Sequence, residues 1–363
     1  MSDSKKLQSL RKRINALDEQ IQTLINERGS LAKDVAIAKM EAGEQNEFYR
    51  AEREAQVLRN VIERNTGPVP DKEMARIFRE IMSTCLAVER PITVAYFGPE
   101  GTFTQAAALK HFGHSAKTVP LSSIAEIFRQ VESDSVDFGV VPVENSTEGV
   151  VSHTLDMFLQ SSLKISGEVE LRVHHNLLCR DPDVDLRSVK KIFSHQQSLA
   201  QCRRWLDTHM PGVERVAVSS NAEAAKMAVS EANTAAIASA AAAEIYQLHL
   251  VKQKIEDDTN NTTRFLVIGK KSTPASGKDK TTLLVSAQNR PGALASLLQP
   301  LADNNISMTK IESRPSRSGI WEYVFFIDIE GHAADTPVAG ALVELEKVSA
   351  MLKVLGSYPK AVF

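Results

Sequence analysis

Apolar residues recur at alternating steps of three and four up to about residue 40. The stripe consists of Leu7, Leu10, Ile14, Leu17, Ile21, Leu24, Leu31, Val35 and Ala38. This spacing predicts one long helix with an apolar face. A helix of about 35 residues is about 50 Å long, and it cannot bury such a face against short helices of its own. We therefore expect this face to pair with another long helix.

Charged residues interrupt the helical pattern of residues 1–90. Arg28 occupies the missing position of the stripe, and Lys39 follows on the same face. Two shorter helices are predicted, over about 48–64 and from residue 70 onward, and Glu89 continues the stripe of the last one. Buried charges are costly unless they are paired. The pattern fits either a coiled-coil arm whose Arg sets the register, or a pocket for a dianionic ligand.

Short strand-like runs alternate with helical spacing over residues 91–271, which is typical of a mostly parallel sheet covered by helices. The central stretch is 141–151, where a strand ends in a polar turn before a helix. Four strand ends carry the polar residues Thr102, Glu144, Asn145, Ser194, Gln197 and Thr263. A helix cap or turn is the simpler interpretation of each alone. Together they predict a polar cleft between two lobes.

The last part of the chain follows a polar linker at residues 270–280. Its strands and helices alternate in the order βαββαβ over residues 281–363, which predicts a ferredoxin-like α+β domain. It contains no cluster of residues suited to chemistry. This domain is therefore expected to bind a ligand or to join subunits.

Composition excludes several classes of protein. The 363 residues are 43% hydrophobic and 24% charged, which is typical of a globular chain. A net charge of −2 gives no reason to expect nucleic acid or an anionic membrane as partner. Three widely spaced cysteines do not suggest disulfides, and we see neither a signal peptide nor a membrane span. We expect a cytoplasmic protein without metal or other cofactor.

The helical region resembles the all-helical chorismate mutases over residues 5–89. The resemblance rests on Leu10, Arg11, Ile14, Leu17, Asp18, Glu27, Arg28, Ala38, Lys39, Arg53 and Glu54. It implies an entwined dimer in which Arg28, Lys39 and Arg53 hold the carboxylates and ether oxygen of chorismate. Arg11 is rotated by about 100° from Arg28, so it is expected to reach the site from the partner subunit.

The same resemblance assigns further contacts. Glu54 would bind the ring hydroxyl of chorismate, and Arg50 is a further candidate contact. Glu89 stands where some members have Gln, and Cys85 where some have Ser. The rearrangement needs a compact substrate and positive charge or a hydrogen bond at the ether oxygen. Glu89 must be protonated to donate that bond, so the mutase rate is expected to decline as pH rises.

Residues 91–271 resemble the prephenate dehydratases in four motifs that occur in the family's order. These are Gly98-Pro-Glu-Gly-Thr-Phe-Thr, Pro142-Val-Glu-Asn-Ser-Thr-Glu-Gly, Ser194-His-Gln-Gln and Thr263-Arg-Phe. The resemblance implies a fold like a two-lobed periplasmic binding protein, with prephenate bound between the lobes. It points to Thr263 as the main catalytic hydroxyl, with Asn145 and Gln197 orienting prephenate and Thr102, Glu144 and Ser194 nearby. We interpret Arg264 as a structural salt-bridge residue.

The C-terminal region resembles the amino-acid-binding ACT domains in Pro291-Gly-Ala-Leu and Glu312-Ser-Arg-Pro. Those domains pair between subunits and bind phenylalanine at the joint. The resemblance assigns the phenylalanine site to Asn289, Gly292, Ala293, Leu294, Glu312 and Ser313. A domain that only joins subunits is the alternative.

The sequence therefore predicts three domains, at residues 1–90, 91–271 and 281–363. We interpret the chain as a bifunctional enzyme that converts chorismate through prephenate to phenylpyruvate under feedback inhibition by L-phenylalanine. It is expected to act as a homodimer or as a tetramer of paired dimers. One alternative is a non-catalytic ligand sensor. Another is a dehydratase whose N-terminal helices serve only to dimerise.

Overall fold

The computed structural model of the chain describes residues 2–41, 49–287, 290–316 and 323–362. Its contacts divide the chain into two compact units. The helical unit comprises residues 1–50, 57–92 and 112–117, and the α/β unit comprises residues 51–56, 93–111 and 118–363.

Three helices dominate the first ninety residues: α1 (Ser2–Glu41), α2 (Ala51–Arg64) and α3 (Asp71–Glu89). The 40 residues of α1 confirm the predicted long helix. Its apolar stripe remains open to solvent along the single chain, with Leu10 46% and Leu24 63% exposed. Where α1 meets α3, Gly29 lies beside the buried Cys85, so the two helices pack closely at this point.

The α/β unit begins with two lobes. Their elements, in chain order, are β1 (Thr93–Phe97), α4 (Phe103–Phe112), β2 (Lys117–Leu121), α5 (Ile124–Glu132), β3 (Phe138–Asn145), β4 (Gly149–Val150), α6 (Ser152–Gln160), β5 (Lys164–Arg172), β6 (Asn176–Cys179), β7 (Lys191–His195), α7 (Gln196–Gln201), α8 (Arg203–His209), β8 (Glu214–Val218), α9 (Asn221–Ser230), β9 (Thr234–Ala238), α10 (Ala240–Ile245), β10 (His249–Lys252) and β11 (Thr262–Gly269).

Each lobe is built on one sheet. The first has the order β2-β1-β3-β11-β5, with β4 paired to β3, and the second has the order β10-β6-β9-β7-β8. The expectation of a mostly parallel sheet is wrong. The chain enters the second lobe after β5 and returns on β11, which runs antiparallel to both β3 and β5. In the second lobe β7 is parallel to β8 and β9, whereas β6 is antiparallel to β9.

The C-terminal domain confirms the ferredoxin-like order. Its elements are β12 (Asp279–Ser286), α11 (Ala293–Asp303), β13 (Met308–Pro315), β14 (Tyr323–Glu330), α12 (Thr336–Val348) and β15 (Met351–Pro359). The strands form an antiparallel sheet in the order β13-β14-β12-β15.

One hydrophobic core joins this sheet to the first lobe. Phe326 and Tyr358 of the C-terminal domain pack in the same cluster as Phe158 and Ile165 of the first lobe. Gly356 of β15 lies against the backbone of Ile165, where an added Cβ would overlap the main chain. Burial of these large apolar side chains stabilises the contact, so the sheet and the first lobe are expected to move together.

None of the helices in the described part of the chain is both long enough and apolar enough to cross a membrane.

Candidate functional site

The predicted catalytic residues Asn145 and Thr263 lie side by side in the first lobe. They are register partners at the end of β3 and the beginning of β11. The side-chain Nδ2 of Asn145 donates a hydrogen bond of 2.8 Å to Oγ1 of Thr263, whose side chain is largely buried. The pairing shifts by one residue just after Arg264. Such a bulge changes the direction of neighbouring side chains.

Backbone groups fix the orientation of the Asn145 amide. Its Oδ1 accepts hydrogen bonds from the N–H groups of Thr147 (3.0 Å) and Glu148 (3.1 Å). The Nδ2 group therefore faces Thr263 and Oδ1 of Asn261, which it contacts at 2.8 Å. Since Oγ1 of Thr263 accepts from Asn145, the hydroxyl proton of Thr263 is available to another acceptor.

This hydrogen-bond chain crosses the cleft between the lobes. Asn261 donates through Nδ2 to Oε1 of Gln201 on α7 at 2.9 Å. Gln201 in turn donates through Nε2 to Oε1 of Glu148 in the first lobe at 3.3 Å. The ends of β3 and β11, together with α7, thus supply polar side chains to the cleft. Two members of this hydrogen-bond network, Gln201 and Asn261, were not foreseen.

Both unforeseen residues have a sequence signal. Gln201 lies one helical turn after Gln197, so the two share a face of α7. Asn261 lies two residues before Thr263, and alternation along an extended strand places them on one face. Gln197 contributes its backbone N–H to Nδ1 of His195 at 3.4 Å, and its side-chain role stays a prediction.

Glu144 is directed away from this hydrogen-bond chain. It is the register partner of Arg264, one residue from the Asn145–Thr263 pair, and alternate residues of a strand face opposite sides of the sheet. Its Oε2 lies 2.7 Å from Nζ of Lys310 on β13. The structure thus places Glu144 against the C-terminal domain and not beside Thr263.

The hydroxyls of Ser194 and Thr102 hydrogen-bond to other protein groups and not to the residues around Thr263. The Ser194 hydroxyl is fully buried, 2.8 Å from the carbonyl oxygen of Ile237 and 2.9 Å from Oδ1 of Asn221. Thr102 donates to the carbonyl oxygen of Pro99 at 3.0 Å. The structure does not bring either hydroxyl into the chain around Thr263.

Arg264 forms the structural salt bridges expected of it. Its guanidinium contacts Glu168 at 2.9 Å, Asp328 at 2.6 Å and the hydroxyl of Tyr358 at 2.9 Å. All of these partners are buried, and their charges raise the pKa of Arg264 against the effect of burial. The residue next to Thr263 therefore ties β11 to the C-terminal domain.

The candidate mutase residues of the helical unit meet at α1 and α3. Arg28 and Lys39 are half-buried on α1, while Cys85 and Glu89 lie on α3. Oε1 of Glu89 is buried and has no hydrogen-bond partner among the described residues. Burial raises the pKa of Glu89, although the positive charge of Lys39 acts against the shift. The shift makes the protonated form of this carboxyl more favourable than it is for an exposed glutamate.

The remaining candidate mutase residues lie elsewhere. Arg11 is exposed and precedes Arg28 by seventeen residues of α1, which is about 25 Å along a helix. Arg50 is the residue before α2, Arg53 is exposed on its first turn, and Glu54 is half-buried there.

Comparisons with known proteins match all three regions of the chain. The chorismate mutase type II family matches residues 10–90, the prephenate dehydratase family residues 94–273, and the ACT domain family residues 281–347. The bifunctional chorismate mutase/prephenate dehydratase of Stutzerimonas stutzeri is 56% identical over 365 residues, which cover 100% of both chains. The chain belongs to the bifunctional chorismate mutase/prephenate dehydratase family. It is an enzyme with a mutase and a dehydratase activity.

Other members and structures agree. The bifunctional chorismate mutase/prephenate dehydratase of Aquifex aeolicus is 44% identical over 359 residues, which cover 98% of each chain. A crystal structure of the prephenate dehydratase of Arthrobacter aurescens in complex with L-Phe has a TM-score of 0.68 and 34% identity, over 74% of this chain and 90% of that one.

The candidate effector residues of this bifunctional enzyme lie on α11 and β13. Gly292 precedes α11 with a φ of 77°, a conformation that favours glycine, and Ala293 and Leu294 begin the helix. Glu312 is half-buried and Ser313 exposed on β13, where successive residues face opposite sides. Asn289 lies outside the described residues.

Proposed function

We propose that the enzyme converts chorismate to prephenate with the residues of α1 to α3, and prephenate to phenylpyruvate with Thr263 in the two-lobed cleft. The observation that carries the second assignment is the fixed polarity of the Asn145–Thr263 hydrogen bond. The proton of Thr263 is therefore free to donate to a bound ligand, whereas the neighbouring side chains already hydrogen-bond to one another.

Dehydration of prephenate requires help at the leaving hydroxyl. The bond between the ring and its carboxylate breaks, and its electron pair completes the aromatic ring as the carbon–oxygen bond opens on the opposite carbon. The ring carboxylate leaves as carbon dioxide, and the oxygen departs as hydroxide, which takes a proton from solvent water. The hydroxyl of Thr263 is a weak acid, so we assign it a hydrogen bond to this oxygen that strengthens as negative charge develops. Asn145 holds the threonine oxygen in place.

The mutase reaction requires orientation and charge. We assign Arg28 and Lys39 to the carboxylates of chorismate, with Arg53, Glu54 and Arg50 as further contacts. Protonated Glu89 donates to the ether oxygen, where negative charge develops. Its unpartnered Oε1 and raised pKa support this role.

The mutase site is completed by a second subunit in this proposal. The exposed apolar stripe of α1 extends from Leu7 to Val35 and is interrupted only at Arg28. Burial of such a face favours pairing with another copy. Arg11 is too far along α1 to serve the same pocket as Arg28 from one chain. A homodimer supplies it from the partner, and two dimers could further pair.

L-Phenylalanine is the proposed feedback inhibitor. A prephenate dehydratase that is 34% identical to this chain was crystallised in complex with L-Phe, and residues 281–347 match the ACT domain family. We assign the effector site to the region of Gly292 and Glu312. The three cysteines are buried free thiols, which suits the reducing cytoplasm.

The proposal is tested by giving the purified enzyme chorismate alone and following phenylpyruvate with and without phenylalanine. Thr263→Ala should lower phenylpyruvate formation by about a thousandfold and let prephenate accumulate. Thr262→Ala, one residue earlier on β11 and bonded through its hydroxyl to the carbonyl of Asn260, is the matched control and should keep most of the activity.

Other outcomes separate the alternatives. Prephenate bound without turnover by the unmodified enzyme would indicate a sensor. Prephenate turnover without chorismate consumption would leave the helices a role in dimerisation only. Full activity of Thr263→Ala would exclude Thr263 as the catalytic hydroxyl.

A further inference from the structure

We propose that His175 is a positioning residue of the dehydratase, which holds Gln201 and thereby the hydrogen-bond chain that leaves the Thr263 proton free. The proposal rests on the function assigned to Thr263 above. It adds a residue that lies outside the four sequence motifs and does not touch Thr263.

His175 lies in the crossover between β5 and β6, where the chain passes from the first lobe to the second. Its side chain is buried, with only 1% of its surface exposed. Nε2 lies 2.8 Å from Oε1 of Gln201. Its backbone N–H donates to Oε2 of Glu256 at 2.9 Å, and its ring packs edge-on against Phe103 with centroids 5.7 Å apart. Hydrogen bonds and packing thus hold both the backbone and the ring of His175 in place.

The proton positions in this hydrogen-bond network follow from its Asn145 end. Backbone N–H groups orient Asn145, whose Nδ2 faces Oδ1 of Asn261, so Asn261 presents its own Nδ2 to Gln201. The Gln201 atom that accepts the hydrogen bond from Nδ2 of Asn261 must therefore be Oε1. The same Oε1 faces Nε2 of His175, which must therefore be the N–H donor. His175 is the neutral tautomer with its proton on Nε2.

The other ring nitrogen favours the same state. Nδ1 of His175 is buried and has no hydrogen-bond partner among the described residues. Protonation would place an unpaired N–H there at a substantial cost. Burial lowers the pKa of His175, and the charge of His174 lowers it further, whereas the bond to Gln201 and the charge of Glu256 raise it. Among the described residues, Glu148 is a further titratable group in contact with this hydrogen-bond network, because it accepts from Nε2 of Gln201.

Loss of the His175 donor removes one of the two bonds that orient the Gln201 oxygen. Gln201 can then turn its amide, and Asn261 loses a fixed acceptor. The Asn145 amide keeps its backbone bonds, but the Asn261 oxygen that also holds its Nδ2 beside Thr263 becomes mobile. The effect falls on the step that uses the Thr263 proton and not on substrate affinity, because His175 has no direct contact with Thr263.

Three variants of the full-length enzyme test this role. His175→Phe keeps a ring without a donor and should lower the dehydratase kcat about tenfold with little change in KM. His175→Gln places an amide N–H near the position of Nε2 and should recover most of the loss. His174→Phe, which removes the neighbouring ring bonded to Glu256, should change kcat by less than about threefold. The mutase rate of the same chains should be unchanged and reports on folding.

The pH profile separates positioning from a purely structural role. Protonation keeps the Nε2 donor but buries an unpaired N–H at Nδ1, which the ring can satisfy only by moving away from Gln201. The dehydratase kcat should therefore fall at acid pH, below the usual titration range of histidine because burial lowers the pKa of His175. The His175→Gln enzyme should lack this acid limb.

Three results would overturn the proposal. They are an unchanged kcat in His175→Phe, a His175→Gln enzyme as slow as His175→Phe, and an acid limb that persists in His175→Gln. If neither variant folds, absence of an acid limb in the unmodified enzyme overturns it as well. Each is distinct from failure of the proposed function, which would appear as absent turnover in the unmodified enzyme.

Discussion

The dehydratase cleft and the helical mutase region differ in how much of each site one chain supplies. In the cleft, Asn145, Thr263, Asn261 and Gln201 already hydrogen-bond to one another. Along α1, by contrast, the apolar stripe is open to solvent, with Leu24 63% exposed. The first site is preorganised by folding, whereas the second is expected to be completed by association.

This difference reflects the chemistry of the two reactions. A neutral hydroxyl that must donate at one point needs fixed dipoles around it, and a hydrogen-bond chain within one fold supplies them. A dianion can be held by cations on long side chains, which a second chain can bring in. We therefore expect dehydratase activity to follow local hydrogen bonds and mutase activity to follow the state of association.

The sharpest test of the comparison is complementation between subunits. Arg11→Ala and Arg28→Ala should each lower the mutase kcat/KM by about a hundredfold or more, because each removes a cation that pairs with the dianion. Co-expression of the two variants should restore about a quarter of the unmodified mutase activity. Half of the dimers are then mixed, and each mixed dimer has one intact site. Assays of the separate and mixed proteins at equal concentration measure this directly.

Dehydratase activity in the same samples is the control and should be unchanged. If mixing restores no mutase activity, Arg11 and Arg28 serve one chain, and the contrast between the two sites is lost.

A second test concerns the proton on Glu89. The proposed mechanism needs this carboxyl protonated, and burial raises the pKa of Glu89. Above the raised pKa the donor is lost, so the mutase rate should decline as pH rises and be highest on the acid side. Glu89→Gln retains a donor at every pH and should give a flat profile, about tenfold faster than the unmodified enzyme at mildly alkaline pH.

The control for this test is Glu73→Gln on the same helix, an exposed residue paired with Arg76. It should leave the slope intact. A flat profile for the unmodified enzyme, or a slope that survives in Glu89→Gln, would remove Glu89 from the proposed mechanism.

Much of this architecture follows from local pattern. The heptad stripe predicts α1, and the strand-to-turn motif predicts the polar strand end that carries Asn145, because both signals lie within a few residues of chain. Strand direction does not follow from local pattern. β11 runs antiparallel to β3 because the chain passes through the second lobe before it returns to the first. This is why the predicted mostly parallel sheet was wrong.

The side of the sheet that a given strand residue faces is likewise not predictable from sequence. Alternation shows that Glu144 and Asn145 face opposite ways, but only the position of the C-terminal sheet decides which one faces Lys310. For the same reason Gln197 and Gln201, on one face of α7, could not be separated from sequence. The hydrogen bond to Asn261 distinguishes them.

The smallest expected effect concerns the link between the C-terminal domain and the cleft. Lys310 and Glu312 lie on the same face of β13, and Lys310 contacts Glu144, the neighbour of Asn145. Lys310→Met should leave uninhibited dehydratase activity within about twofold. It should raise the phenylalanine concentration needed for half-inhibition by about threefold to tenfold, because one link between the two sites is lost. Dehydratase rates across a phenylalanine titration provide the measurement.

Lys360→Met is the matched control for the Lys310 test, because Lys360 pairs with Glu330 in the same domain at 2.6 Å and makes its ion pair away from the catalytic strands. It should leave the inhibition curve in place. Equal curves for Lys310→Met and the unmodified enzyme would assign the link to the buried Arg264–Asp328 pair instead. A lowered uninhibited rate would mean that Lys310 positions β3 for the reaction itself, and the cleft would then be less self-contained than its internal hydrogen bonds suggest.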